Sequence, residues 1–167
     1  MFKLTIAAFS ITATLASAGV AVAETDADDR KILSGNFCQN ENDEVRYWRG
    51  RTENKSATTA YIDCPITRDI TITGGKLTSA WAKVVDRSAV ESVECTLWSQ
   101  DGNDISGWGL LSSRRTPVSH ASEAVLTLAF DPLDSIGGFG YYSIDCNLAA
   151  TYNGARSAIL AYMITEH

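Results

Sequence analysis

Apolar and polar residues alternate with a period of two along several stretches of this chain, the mark of half-buried β-strands rather than of helices. Between Val93 and Ser99, the residues Val93, Cys95 and Leu97 share one face, while Glu94, Thr96 and Trp98 share the other. Between Tyr141 and Leu148, Tyr142, Ile144, Cys146 and Leu148 point one way, with Tyr141, Ser143, Asp145 and Asn147 opposite. Runs of this kind predict strands at 45–49, 57–63, 76–85, 91–99, 105–112, 123–130, 139–148 and 157–165. Turn chemistry separates them: Asp69 with Gly74-Gly75, then Asp86-Arg87-Ser88, Asp101-Gly102-Asn103-Asp104, Thr116-Pro117, Asp131-Pro132 and Gly137-Gly138. The best helical segment, 119–128, contains Val125 and Thr127 and runs into Asp131-Pro132, which suits a strand better. Short strands at intervals of about ten residues predict an all-β sandwich, jelly-roll-like, of about eight antiparallel strands.

Four cysteines, Cys38, Cys64, Cys95 and Cys146, change the picture next. They allow three connectivities. Cys95 and Cys146 both lie on the apolar face of their strands, so matched inward phase favours pairing them, which leaves Cys38 to bridge Cys64.

Export agrees with disulfides. Lys3, the apolar run from Leu4 to Leu15 and the small residues leading to Ala21-Val22-Ala23 read as a secretory signal over 1–23, with Ala16-Ser17-Ala18 as an alternative cleavage site. No Cys stands at either cut and no second apolar run approaches the ~18 residues of a membrane span, so the expected product is a secreted or periplasmic protein without a membrane span. Residues 24–31 begin with the acidic ETDADD and are expected to form a loose leader, with a single sandwich domain over 32–167 starting near Ile32.

The formal charge is −6, or −7 once Lys3 is removed. An acidic chain disfavours nucleic acid or anionic lipid as main partner, since either requires clustered cations to displace counterions. The nearest basic cluster, Arg46, Arg49 and Arg51, is interspersed with Glu41, Asp43, Glu44 and Glu53.

The segments CPITRDI (64–70), KVVDRSAVESVECTLWS (83–99), GGFGYYSIDCNL (137–148) and SAILAYMITE (157–166) resemble a group of small exported four-cysteine β-rich bacterial proteins. The likeness spans most of the mature chain, and its motifs are structural: Cys in strands and Asp in turns. It implies the fold and transfers no catalytic residue.

Candidate chemistry is sparse. A His-based triad needs a base placed beside a nucleophile, and the two histidines are His120, in a Pro117-Val118-Ser119-His120 stretch without a Gly-x-Ser-x-Gly elbow, and the terminal His167. The cysteine spacings do not fit zinc knuckles. Asp101-Gly102-Asn103-Asp104 offers oxygen ligands, but Ile105 and Ser106 stand where a calcium loop needs a ligand and a Gly, so a hairpin turn is expected. Asn54-Lys55-Ser56 fits a glycosylation sequon and is read as a plain turn. No catalytic residue, metal or cofactor is assigned. Asp63, Glu94, Asp145 and other carboxylates offer candidates for a glycosidase pair, as any acidic chain would.

The aromatics give some leverage. Trp48, Trp81, Trp98 and Trp108 are first expected to pack in the core or against a sheet. If Cys95 and Cys146 lie directly opposite on antiparallel strands, Glu94 faces Asn147, Thr96 faces Asp145 and Trp98 faces Ser143, with Tyr141 diagonal to Trp98. Trp98, Tyr141 and Asp145 then form an outward platform suited to a sugar ring. The leading expectation is a non-catalytic binding or envelope-associated module with a glycan or an envelope protein as partner. A glycan-acting hydrolase and a protein-binding inhibitor or structural factor are the alternatives, and the sequence does not set the oligomeric state.

Overall fold

The computed structural model describes residues 29–40, 44–66, 76–101, 109–117, 124–134 and 140–166. The signal stretch, residues 24–28 of the leader, residues 102–104 of the acidic turn, Trp108, His120 and His167 lie outside the described residues. Those described form eleven strands: β1 (Asp29–Ser34), β2 (Val45–Trp48), β3 (Arg51–Asn54), β4 (Ala60–Ile66), β5 (Lys76–Val85), β6 (Glu94–Asp101), β7 (Gly109–Arg115), β8 (Val125–Phe130), β9 (Leu133–Asp134), β10 (Gly140–Leu148) and β11 (Ala158–Glu166). A single 3-10 turn, Gly35–Phe37, follows β1.

The strands pair antiparallel in two sheets. The larger runs β2-β3-β11-β5-β8, with β1 continuing beyond β3 along β11 and β9 continuing beyond β8 along β5; the smaller runs β4-β10-β6-β7. Set β1, β2 and β9 aside and number the other eight strands in chain order. They then run first-eighth-third-sixth in one sheet and second-seventh-fourth-fifth in the other, the interleaving of a jelly roll.

Strict alternation builds the core between the sheets. In β4, Ala60, Ile62, Cys64 and Ile66 are buried while Tyr61, Asp63 and Pro65 are exposed; in β5, Leu77, Ala80, Ala82 and Val84 face inward. Leu77 and Ala80 share a face despite their odd spacing because an irregularity in the pairing with β11 sets Leu77 against Glu166 and Ser79 against Thr165, leaving Thr78 extra. Disulfides join Cys38 to Cys64 and Cys95 to Cys146, all four sulfur-bearing residues fully buried. Cys95 and Cys146 are direct partners in the β6–β10 register. Tyr162 crosses the sandwich from β11, and its Oη donates to the Pro65 carbonyl on β4 at 2.9 Å. Burial first, and the negative charge of Asp63 second, push its phenol above the usual range, so it stays a donor.

Each of the eight expected runs has a strand, and three further strands were not expected. β1 begins at Asp29, inside the segment read as a loose leader, because Leu33 packs against the core and Lys31 pairs with Glu166 at 2.8 Å and Asp29 at 3.3 Å. β3 shows no apolar alternation, yet Thr52, Glu53 and Asn54 are buried. Their polar groups are satisfied: Thr52 Oγ1 donates to the Gly35 carbonyl, and Asn54 Nδ2 donates to the carbonyls of Thr58, Leu148 and Ala149. Asn54 is therefore a buried residue at the end of β3, and its Oδ1 accepts from the Ser56 N–H at 2.7 Å as the chain turns over the sequon. A turn at Arg49-Gly50, with φ of 49° and 82°, closes β2 onto β3 in the handedness that suits a hairpin.

Gly35 sits where the 3-10 turn crosses β11. A Cβ there would collide with the Ile159 carbonyl oxygen and lie 2.9 Å from its carbon, both backbone atoms that cannot swing aside. Gly35→Ala is therefore expected to cost about 2 kcal/mol or more through overpacking, read as a melting point lower by several degrees. A melting point unchanged within about 1 °C would refute this close approach.

Candidate functional site

The outward face of the smaller sheet is built by the residues that alternate with its core. Cys64 and Cys146 point inward, so Tyr61, Asp63 and Pro65 on β4 and Tyr141, Ser143, Asp145 and Asn147 on β10 share the opposite face. The register sets Tyr61 against Asn147, Asp63 against Asp145 and Pro65 against Ser143. β6 continues the rows, with Glu94 beside Asn147, Thr96 beside Asp145, Trp98 beside Ser143 and Gln100 beside Tyr141. Pro65 is tolerated because β4 is the last strand of its sheet.

An open groove of about 330 Å³ lies on this face, lined by Tyr61, Asp63, Pro65, Gln100, Tyr141 and Asp145, with Ser143, Tyr142 and Ile66 completing it. Tyr61 and Tyr141 are 48% and 47% exposed, enough to present a ring face to a ligand. From Tyr61, opposite Asn147, to Tyr141 the groove follows β10 for about 20 Å at ~3.3 Å per residue. The Tyr141 hydroxyl donates to Gln100 Oε1, which fixes the ring's tilt. Between the two rings stand the carboxylates of Asp63 and Asp145, side by side on one face. Such a groove has acceptors at its centre, an amide at one end and an aromatic surface at each end, a set that bonds hydroxyls and packs against C–H faces.

Two of the three platform residues, Tyr141 and Asp145, come together in this groove; Trp98 does not line it. Trp98 lies on the same face, half-buried, between Ser143 and the exposed Leu111 of β7. Tyr61, Pro65 and Gln100 were not singled out from the sequence. The inward phase of Cys64 would have turned Tyr61 and Pro65 outward, and the Cys95–Cys146 register would have set Gln100 against Tyr141.

None of the three described tryptophans belongs to the core. Trp48 is 40% exposed on the β2–β3 hairpin, and Trp81 is half-buried on the outer face of the larger sheet with Lys83 Nζ 5.0 Å from its ring centre. Among the described residues no three His, Cys, Asp or Glu side chains group as metal ligands, and no helix is long and apolar enough to cross a membrane.

No protein-family model matches this sequence, and no curated protein does. Among solved structures, the chain is similar to a low-affinity xylan-binding module, CBM86, of the gut symbiont Roseburia intestinalis, with 8% identity and a TM-score of 0.45 over 81% of this chain and 94% of that one.

Proposed function

We propose that this is an exported, non-catalytic binding module that holds a neutral glycan along the groove on its smaller sheet. The observation that carries the reading is the pair of exposed tyrosines, Tyr61 and Tyr141, set at either end of a groove with Asp63 and Asp145 between them and Gln100 beside Tyr141. Rings so placed can stack on sugar faces at separated positions, while charge-assisted hydrogen bonds from hydroxyls to the carboxylates fix orientation. The acidic centre repels anionic sugars, which points to neutral chains. Two buried disulfides suit the oxidising compartment that the secretory signal read over 1–23 implies, and the likeness to small exported four-cysteine proteins agrees with it.

The test is affinity electrophoresis of the oxidised protein in gels containing neutral polysaccharides. Retardation by at least one is expected, weakened about tenfold by Tyr61→Ala and by Tyr141→Ala, since each ring covers on the order of 50 Å² of apolar sugar surface. Equal mobility of wild type and both variants in every gel would overturn the reading.

The register of Asp63 against Asp145 favours one second reading, a glycan-acting hydrolase using both carboxylates. It requires new reducing ends on incubation with a retained polysaccharide, abolished by Asp145→Asn and by Asp63→Asn. The binding reading requires none.

A further inference from the structure

The outer face of the larger sheet carries a different chemistry. The β2–β3 register pairs Arg46 with Glu53 and Trp48 with Arg51, so these four side chains share one face of the hairpin. The guanidinium carbons of Arg46, Arg49 and Arg51 lie 5.3, 4.5 and 4.7 Å from the centre of the Trp48 ring. Arg156 approaches from the segment before β11, its Nη1 4.0 Å from Glu53 Oε2.

Among the described residues Glu53 is the carboxylate paired with these arginines, and it is committed: Oε2 holds Arg46 Nε at 2.5 Å and Oε1 holds Arg51 Nη2 at 2.5 Å, with the Glu53 side chain 4% exposed. Arg51 Nε is buried without an acceptor. Among the described residues Arg49 has neither an ion pair nor a hydrogen bond, and its contact is the Trp48 ring. Among the described residues, three guanidiniums around one buried carboxylate, with Arg49 beside them on the Trp48 ring, leave a local surplus of positive charge on a chain whose net charge is −6. Cation–π attraction offsets part of the mutual repulsion and holds the forks in place, but it supplies no hydrogen-bond acceptor.

From this cluster we infer a second ligand site, at Trp48, Arg46, Arg49 and Arg51, that takes the acidic groups of an anionic polysaccharide. A carboxylate or sulfate matches the guanidinium fork in two parallel hydrogen bonds, which a point charge does not require. The patch is confined to one hairpin and its neighbour Arg156. A bilayer or a nucleic-acid duplex would bring a broad anionic surface within the ~8 Å Debye length of the acidic remainder. A single polysaccharide strand meets the hairpin alone. The site is independent of the groove on the other sheet, and either can fail without the other.

The experiment compares the oxidised full-length protein in gels containing polygalacturonate, dextran sulfate or uncharged dextran, with phosphatidylglycerol vesicles as a parallel sedimentation arm. Arg49→Ala removes no ion pair and is expected to leave the melting curve unchanged. Retardation by polygalacturonate or dextran sulfate relative to dextran is expected, weakened about tenfold by Arg49→Ala, further by Trp48→Ala, and only partly by Arg49→Lys. Retardation is also expected to fall as salt rises. Mobility equal to that in dextran, retardation insensitive to both Arg49→Ala and Trp48→Ala, or binding to vesicles without retardation by either polyanion would overturn the proposal. The two polyanions distinguish a carboxylate from a sulfate ligand.

Discussion

Replacing Asp86 with Ala is expected to lower the unfolding free energy by about 4 kcal/mol, a large part of the 5–15 kcal/mol available to an ordinary domain. Asp86 follows β5 and is fully buried. Its Oδ1 accepts from the Ser88 backbone N–H at 3.0 Å and from the Ser157 hydroxyl at 3.4 Å. Its Oδ2 accepts from the Val93 N–H at 3.1 Å and from the Thr116 hydroxyl. One carboxylate thus ties the turn after β5 to the entry of β6, the exit of β7 and the approach to β11, residues that flank strands of both sheets. Hydrogen bonds to a charged group are each worth roughly 1.5–3 kcal/mol, and alanine would leave the Ser88 N–H without its acceptor in a buried place. Val93 keeps Thr116 Oγ1 at 2.9 Å, which moderates the loss. Asp86→Asn keeps one acceptor but turns an NH₂ toward donors, so about 2 kcal/mol is expected. Urea unfolding at unchanged m-value measures both. A cost below about 1 kcal/mol for the alanine variant would show that the carboxylate is not the tie described.

Most of the sandwich is legible in the sequence because its inner strands obey a two-residue period with turn residues between them. The cysteine phase is the strongest single clue. Once Cys95 and Cys146 point inward and pair, the whole β6–β10 register follows, and Trp98 faces Ser143 as expected. What escapes is of another kind. β3 reads as Arg-Thr-Glu-Asn, with no apolar period, because it is buried through polar satisfaction: Glu53 by two arginines, Asn54 by three carbonyls. Periodicity cannot announce a strand held in that way. β1 escapes because its charged residues find partners at the far end of the chain, Lys31 with Glu166, a pairing with no local signal.

The site was half legible for a related reason. Alternation tells which side chains face outward on β10, so Tyr141 and Asp145 could be named. It does not tell that β4 lies on the other side of β10 from β6, and this neighbour brings Tyr61, Asp63 and Pro65 to the groove. Trp98 faces outward beside Ser143 as its phase requires, but of the β6 residues it is Gln100, opposite Tyr141, that lines the groove. Along the sequence, Glu41, Asp43, Glu44 and Glu53 dilute Arg46, Arg49 and Arg51. In the fold Glu53 lies covered by two of the arginines on their own face of the hairpin, and the Trp48 ring gathers three guanidiniums. Net charge along a sequence averages out what a hairpin concentrates.

Opening both disulfides is expected to cost about 7.5 kcal/mol and to leave the chain largely unfolded at 37 °C. The cysteines of the Cys95–Cys146 bond are 51 residues apart, worth about 4 kcal/mol by chain entropy, and those of Cys38–Cys64 are 26 apart, worth about 3.5 kcal/mol. The two loops do not overlap along the chain, so the terms are close to additive. Both bonds face the core of the smaller sheet, where reductant reaches them only when the sandwich opens. The sample must therefore be reduced in denaturant and returned to buffer with reductant present. Single pairs of Cys→Ala substitutions should separate the contributions, and Cys95→Ala with Cys146→Ala is the more costly pair. If the proposed glycan binding holds, that double variant should nonetheless match the wild type in polysaccharide gels wherever it is folded. The backbone ladder from Gly140↔Asp101 to Asn147↔Glu94 holds the register without the bridge, and a slip of one residue would turn Tyr141 and Asp145 into the core. A reduced chain that unfolds cooperatively within about 1 kcal/mol of the oxidised one would contradict the expectation, because the bonds would then close loops that the fold already holds. Large loss on reduction carries a cellular consequence as well: a chain so dependent on its bridges reaches its fold only where thiols are oxidised.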